Sequence, residues 1–407
     1  MVNVIGLGYI GLPTALMLAS HGVEVVGTDY NKELVESLNA GVPTFKEDGL
    51  DELFKNAVDA GIKFTNNYQH TDIYIVAVPT PYNKFSKKVD ACYVKAAVND
   101  VLDVCNAGAT IIVESTVSPS TIDKEVRPLI AERGFITGKD VHLVHAPERI
   151  LPGNMIYELI NNDRTIGADE PNVAVRVRDI YASFCKGEIV LTDIRTAEMT
   201  KVVENTFRAV NIAFANELSR ICRHDNMDVY EIIRICNKHP RVNIMNPGPG
   251  VGGHCISVDP WFLVGDYPQL TKVIGESMKV NDSQPDFVLE RLQVIMQENN
   301  IKDASRVGLY GITYKENVDD YRDSPTLQLL ESQARHLAAP LKCYDPFLEN
   351  MKLTESQYSD FDAFINDVDI VVVMVKHDHI CHNWDRLKDK IVLDCHNICP
   401  LPNTYRL

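Results

Sequence analysis

Long apolar runs are missing from this 407-residue sequence, and no stretch approaches the roughly eighteen residues that a membrane-crossing helix needs. The opening residues MVNVIGLGYIGLP carry neither a basic leader nor a small-residue cleavage site, so the expectation is a soluble, cytoplasmic protein. Basic charge is in short supply, with 40 Lys and Arg against 56 Asp and Glu and a formal net charge of −16. Such a surface repels duplex nucleic acid and anionic membranes on average, so neither is expected as a partner, and an anionic ligand needs its own cationic pocket. The ten cysteines lack the regular spacing of a small secreted domain, which makes most of them reduced, buried thiols. Short-period repeats and low-complexity linkers are absent too. What remains is ordinary globular composition, 45% apolar and 24% charged, long enough for two or three domains.

The positive signal is a rhythm of strands and helices. VNVIG reads as a strand, followed by a glycine turn, a helix from about Ile10 to Ser20, and a second strand in VEVVGTD. DIYIVAVP, ATIIVES and VHLVHAPE then alternate with helical patterns, as in a parallel sheet buried on both faces. From Thr196 to about His224 the pattern is one long helix with no glycine or proline inside it. More helical sequence follows, interrupted by a Pro/Gly-rich loop, and after NNIKDAS the strands return in RVGLYGI, LKCYDP, DIVVVMV and KIVLDC. The expected architecture is α/β, with two Rossmann-like doubly wound parallel-sheet domains over residues 1–195 and 299–407. A central helical domain over 196–298, holding the long helix, joins them.

Gly6, Gly8 and Gly11 spell G-x-G-x-x-G between a strand and a helix, where missing side chains let the backbone approach a pyrophosphate. A glycine turn with no ligand has the same letters, but Asp29 ends the second strand about twenty residues on, placed to accept from an adenosine ribose. A carboxylate there repels a 2′-phosphate, so NAD is favoured over NADP. Lys201, Asn205 and Arg208 share one face of the long helix, as a merely solvated face also would. Cys255 follows Gly252 and Gly253 and precedes Asp259, a context that suits either an activated thiolate or a structural thiol. His377, His379, Cys381 and His382 invite a zinc reading, but their spacing fits no usual closed site, nor does that of Cys395 and Cys399; no metal is expected.

GLGYIGLP, VPTP at Val78–Pro81, ESTV at Glu114–Val117, APER at Ala146–Arg149, EMTKVVENTFRAVNIAFANE, GVGGHC and YKENVDDYRDSP occur in that order along the chain. Together they resemble the UDP-glucose/GDP-mannose dehydrogenase family over essentially the whole sequence. Members of that family oxidise the C6 alcohol of a sugar nucleotide to a carboxylate with two NAD. The resemblance implies that Cys255 is the nucleophile, Lys201 the acid/base and electrostatic partner of the C6 oxygen, and Asn205 its assistant. By the same resemblance Asp259 and Thr116 order protons and water, and Glu148 is the base for thioester hydrolysis. The NAD contacts implied are Gly6, Gly8, Tyr9, Ile10, Gly11, Asp29, Thr80 and Thr116.

Two departures bear on the sugar. The UDP-glucose branch carries NPEFL with a second carboxylate four residues after the first, where this chain has Pro152 in APERILPGN, and it carries KSTV in place of ESTV. With ELINNDRTIG and HPRVN, these features are similar to the branch that acts on UDP-N-acetyl-D-mannosamine. That resemblance implies substrate contacts from Arg149, Ile150, Lys201, Asn205, Arg208, Gly252, Tyr314, Lys315 and Arg322, and from His239 and Arg241 toward a neighbouring subunit. The implied partners are a UDP-N-acetylhexosamine and a second copy of the chain, as a homodimer or dimer of dimers on the central helix, in a route to a surface polysaccharide. The nearest rival is the same chemistry on UDP-N-acetylglucosamine or its galacto epimer, a group that more often reads SPERINPG. A non-catalytic NAD-binding protein would not need Cys255, Lys201 and Glu148 together, and a two-electron hydroxyacid dehydrogenase would release one NADH per product.

Overall fold

Eight strands build the N-terminal sheet: β1 (Val2–Ile5), β2 (Val25–Thr28), β3 (Lys63–Thr65), β4 (Ile73–Val76), β5 (Ala109–Val113), β6 (Val141–His145), β7 (Arg164–Ala168) and β8 (Ile189–Thr192). In this computed structural model, which describes residues 1–336 and 339–407, their spatial order is β3-β2-β1-β4-β5-β6-β7-β8. The residues of β1, β2 and β5 are all buried, the consequence of helices on both faces, and they are correspondingly rich in Val and Ile. All neighbours run parallel except β6 and β7, which pair antiparallel with Val144 opposite Ala168.

The helix Gly11–Ser20 begins within a residue of its expected start, with Pro13 in its first turn and every residue from Gly11 to Ala19 buried. Its start is set by contact, since a side chain at Gly11 would collide with the Gly6 carbonyl. The chain leaves β1 toward β2 on one side and resumes at β4 on the other. That reversal opens a crevice beyond the C-terminal ends of β1 and β4, where α/β sheets bind ligands.

Two compact units result, Met1–Glu204 and Asn205–Leu407, and the boundary falls inside the long helix Ile194–His224. In the second unit, helices Val229–Cys236, Asp259–Asp266, Lys272–Asp282 and Gln284–Glu298 precede another sheet. Its strands are β9 (Val307–Tyr310), β10 (Lys342–Tyr344), β11 (Gln357–Tyr358), β12 (Ile370–Val373), β13 (Ile391–Asp394) and β14 (Thr404–Arg406). They are parallel in the order β11-β10-β9-β12-β13-β14, which repeats the winding of β1 to β6. Val288, Leu292 and Ile295 of helix Gln284–Glu298, three and four residues apart, share a buried cluster with Val307, Leu309, Ile370 and Val372.

Candidate active site

Four loops flagged by sequence leave the C-terminal ends of β1, β4, β5 and β6, which parallel pairing puts on one edge of the sheet. In the first, Gly6 has φ +87°, and a Cβ there would stand 2.6 Å from the Ala77 carbonyl oxygen. Gly6 and Gly11 are therefore demanded by the chain's own packing. Gly8 is not, because a Cβ there would meet nothing within 4 Å. What Gly8 does is leave the backbone bare at a helix N-terminus, the place where a pyrophosphate fits.

Asp29, buried beyond the end of β2, accepts from the Leu7 amide through Oδ2 at 2.8 Å and from the Asn31 amide through Oδ1 at 2.9 Å. The carboxylate thus ties the glycine turn to β2, and each oxygen keeps a lone pair for a ribose hydroxyl. Tyr9 stacks on Phe45 with centroids 4.5 Å apart, and Ile10 packs against the core. Thr80 and Thr116 are half-buried in the loops after β4 and β5, which the Ser115 hydroxyl joins by donating to the Val78 carbonyl at 2.7 Å. The donor set fits NAD: backbone amides at a helix N-terminus for the diphosphate and a carboxylate for the ribose.

Beyond β6, Glu148 is buried, accepts from the Arg149 amide through Oε1 at 2.6 Å, and forms an ion pair through Oε2 with Arg164, the first residue of β7. Arg164 is also buried; its Nη2 lies 3.6 Å from Glu114 Oε1, and its guanidinium stacks 4.2 Å from the Tyr181 ring centroid. Tyr181 donates to Glu114 at 3.0 Å. Burial pushes the Glu114 carboxyl up, while the Arg164 charge and the Tyr181 hydroxyl draw it part of the way back. Arg164 and Tyr181 were missed from sequence. The one available signal was an arginine opening the otherwise apolar run RTIGA.

Arg149 is half-buried and engaged with the Thr165 hydroxyl and a Glu204 carboxylate oxygen, each at 2.9 Å, and Ile150 lies in the core cluster. Lys201 is buried on the long helix, three residues beyond the fully buried Glu198.

In the second unit Asn205 donates to Asp259 Oδ2 at 2.7 Å, both side chains being buried. Asp259 opens the helix Asp259–Asp266, and its amide and that of Val258 donate to the Cys255 carbonyl at 2.8 and 3.1 Å. Cys255, Asp259 and Asn205 are thereby brought together, with the half-buried thiol residue in the turn that enters a helix N-terminus. The adjacent glycines have a steric cause. A Cβ at Gly252 would come within 2.7 Å of Tyr314 Cβ and of the Asp323 carbonyl, and one at Gly253, φ +81°, within 2.8 Å of the Tyr314 ring. The Gly253 amide also donates to the Arg322 carbonyl at 3.0 Å, so the segment holding Tyr314, Lys315 and Arg322 braces the cysteine loop.

Arg322 itself donates to the buried Asp320 at 2.8 Å, and the half-buried Lys315 offers its carbonyl to the Thr313 hydroxyl at 3.0 Å. Arg208 is half-buried, whereas His239 and Arg241 are exposed in the turn after helix Val229–Cys236. In the histidine segment, the side chains of His377 and His379 are engaged within the fold. His377, fully buried, accepts from the Asn317 amide through Nδ1 at 2.9 Å, which assigns the proton to Nε2, 3.2 Å from Asp345 Oδ2. Burial opposes ionisation of Asp345, but hydrogen bonds from His377 and from backbone amides hold its carboxyl below the usual range. His379 stacks on Tyr310. Among the described residues no group of three or more His, Cys, Asp or Glu side chains could hold a metal ion.

Known proteins resemble this chain along its length. Residues 1–185 match the NAD binding domain of the UDP-glucose/GDP-mannose dehydrogenase family, residues 195–283 its central domain and residues 308–400 its UDP binding domain. The UDP-N-acetyl-D-mannosamine dehydrogenase of Methanocaldococcus jannaschii is 40% identical, over 98% of this chain and 92% of its own. The NDP-N-acetyl-D-galactosaminuronic acid dehydrogenase of Ralstonia nicotianae is 37% identical, over 97% and 95%. A solved structure of a UDP-D-ManNAc dehydrogenase from Pyrococcus horikoshii superposes with a TM-score of 0.91 at 34% identity, covering 100% of this chain and 98% of its own. A glycine turn suited to a dinucleotide, a thiol placed at a helix start and three successive domain matches have one reading: this chain belongs to the UDP-glucose/GDP-mannose dehydrogenase family.

Proposed function

We propose that this chain oxidises UDP-N-acetyl-D-mannosamine at C6 to the uronate, through a thioester on Cys255. That it is an NAD-dependent UDP-sugar dehydrogenase follows from its family. The covalent mechanism rests chiefly on one observation, the buried Asn205–Asp259 pair hydrogen-bonded next to the Cys255 turn.

Bound NAD supplies the hydride acceptor for both oxidations. The chain's own groups handle the protons and the carbon. Lys201, with Asn205, stabilises the C6 oxygen as its proton leaves and a hydride departs from C6, which together yield the aldehyde. The Cys255 sulfur adds to that carbonyl carbon and its oxygen takes up a proton, giving a thiohemiacetal; loss of that proton with a second hydride gives the thioester. The helix that begins at Asp259 turns the positive end of its dipole toward the cysteine turn, where it favours negative charge. Glu148 removes a proton from water as it attacks, and the carbon–sulfur bond breaks to return the thiol and release the acid. Buried beside Arg164, Glu148 is held in one orientation for that task.

The mannosamine assignment is supported by Pro152 in place of a carboxylate and by relatives of that name. A second copy is supported by apolar residues left exposed on the long helix at seven-residue intervals, Phe207 at 68%, Phe214 at 56% and Ile221 at 51%. His239 and Arg241, being exposed, are available to that partner. Residues 1–195, 196–298 and 299–407 are the functional division we propose. Among the described residues no helix is long and apolar enough to cross a membrane, and we place the enzyme in the cytoplasm, supplying a uronic acid nucleotide for a surface polysaccharide.

The test is NADH formation over a panel of UDP-hexoses and UDP-N-acetylhexosamines. Two NADH per sugar, and a preference for UDP-N-acetyl-D-mannosamine of about tenfold to a hundredfold in kcat/KM, are expected, because the wrong epimer leaves buried polar groups unpaired. Preferred turnover of the gluco or galacto epimer would overturn the substrate assignment.

A further inference from the structure

Glu198 stands in the second turn of the helix Ile194–His224, three residues before Lys201, and is 0% exposed. Its carboxylate reaches another element. Oε2 accepts from the Ser120 amide at 2.6 Å and Oε1 from the Ile122 amide at 2.9 Å. Those amides open the helical segment that starts at Ile122 and continues through Arg127–Glu132. Ser120 has φ +69°, a left-handed backbone that a serine keeps only where its surroundings enforce it. Thr116 lies four residues earlier in the same loop after β5. One side chain therefore ties the loop that carries Thr116 to the helix that carries Lys201.

We propose that Glu198 is a positioning residue for the oxidation, its ionised carboxylate fixing the Thr116 loop against the Lys201 helix. The proposal rests on the roles assigned to Thr116 and Lys201 above. An ionised carboxylate accepts both amides, whereas a protonated one turns a hydroxyl toward one of them.

The charged surroundings can be stated element by element. The loop Ser115–Ser120 has no ionisable side chain. The facing helical segment contributes Asp123, already paired with Arg127 at 2.7 Å and Arg195 at 3.1 Å, and the long helix contributes Arg195 and Lys201. Burial pushes the Glu198 carboxyl up to about 7, against the pull of the two amides; Asp123 adds to the rise and Arg195 opposes it. The sign follows. A carboxyl raised above its unfolded value holds its proton more tightly in the folded state, so its contribution to stability is complete below the unfolded value and is lost as pH rises through about 7. Activity runs the other way, since the anchoring form predominates above about 7.

The experiment compares kcat from about pH 6 to 8 for the parent, Glu198→Gln and Glu198→Asp, using whichever UDP-sugar the parent turns over fastest, with melting temperature followed in parallel. The parent should lose kcat on the acid side of about 7 and lose melting temperature on the alkaline side. Glu198→Gln should flatten both profiles and run about tenfold to a hundredfold below the parent at pH 8, with KM for NAD and sugar nearly unchanged. Glu198→Asp should keep an acid limb at a reduced rate. If Glu198→Gln retains the parent's acid limb, whatever its rate, the carboxylate is only a structural anchor and the proposal fails. A Lys201→Met variant that keeps its activity would instead show that the roles beneath the proposal are wrong.

Discussion

In the mechanism proposed above, Cys255 separates two kinds of chemistry. Without a thiol the aldehyde cannot become a thioester, so Cys255→Ala should abolish four-electron oxidation while NAD and UDP-sugar binding, measured by calorimetry, stay nearly intact. Cys255→Ser can still form a hemiacetal and an ester that hydrolyses slowly. We expect a mass increase on the intact chain that maps to the peptide containing position 255. If Glu148 is the proposed base, Glu148→Gln should trap the native thioester for the complementary reason. Its replacement also leaves the buried Arg164 with Glu114 as its remaining carboxylate, so a modest fall in melting temperature should accompany the trap. Two NADH per sugar from Cys255→Ala at near the parent rate would make the thiol structural.

At the scale of the element, Gly8 and Gly253 look alike in sequence but answer to different demands. Gly8 has open space where a Cβ would be, so Gly8→Ala should change stability by no more than about 0.5 kcal/mol yet weaken NAD binding, which a chemical melt and a titration with NAD would separate. At Gly253 both the left-handed backbone and the Tyr314 ring oppose a side chain. Gly253→Ala should cost about 1 to 3 kcal/mol and shift the Cys255 turn, lowering kcat with little effect on NAD affinity. Equal effects of the two substitutions on NAD binding would contradict this division of labour. The need for glycine was readable at both loops, but its steric causes, the Ala77 carbonyl at Gly6 and Tyr314 at Gly252 and Gly253, lie far along the chain.

For the whole molecule, the exposed stripe of Phe207, Phe214 and Ile221 predicts association. Phe207→Asp with Phe214→Asp should convert a dimer to a monomer in sedimentation velocity, because each buried aromatic contributes roughly 1.5 to 3 kcal/mol and a buried carboxylate opposes contact. If Arg241 completes a neighbour's site, mixing inactive Arg241→Ala chains with inactive Cys255→Ala chains should restore activity, since one site of a mixed dimer has both residues. Mixed dimers that form without rescue would place Arg241 elsewhere.

Local pattern determined a good part of this protein. The β1–turn–helix unit, the place of Asp29, the long helix and the return of strands after Asn300 all follow from short-range demands of backbone and burial, which a few neighbouring residues express. Strands of two or three residues, such as β3, β11 and β14, are too short for a period to register, and the antiparallel turn into β7 leaves no local mark. Tertiary structure alone decided that Arg164 would pair with Glu148 beside Glu114, that Glu198 would hold the Ser120 and Ile122 amides, and that Tyr314 would exclude side chains from the cysteine loop. Each of these joins residues far apart in the chain, and each depends on which strand ends and loops the winding of the sheets places side by side.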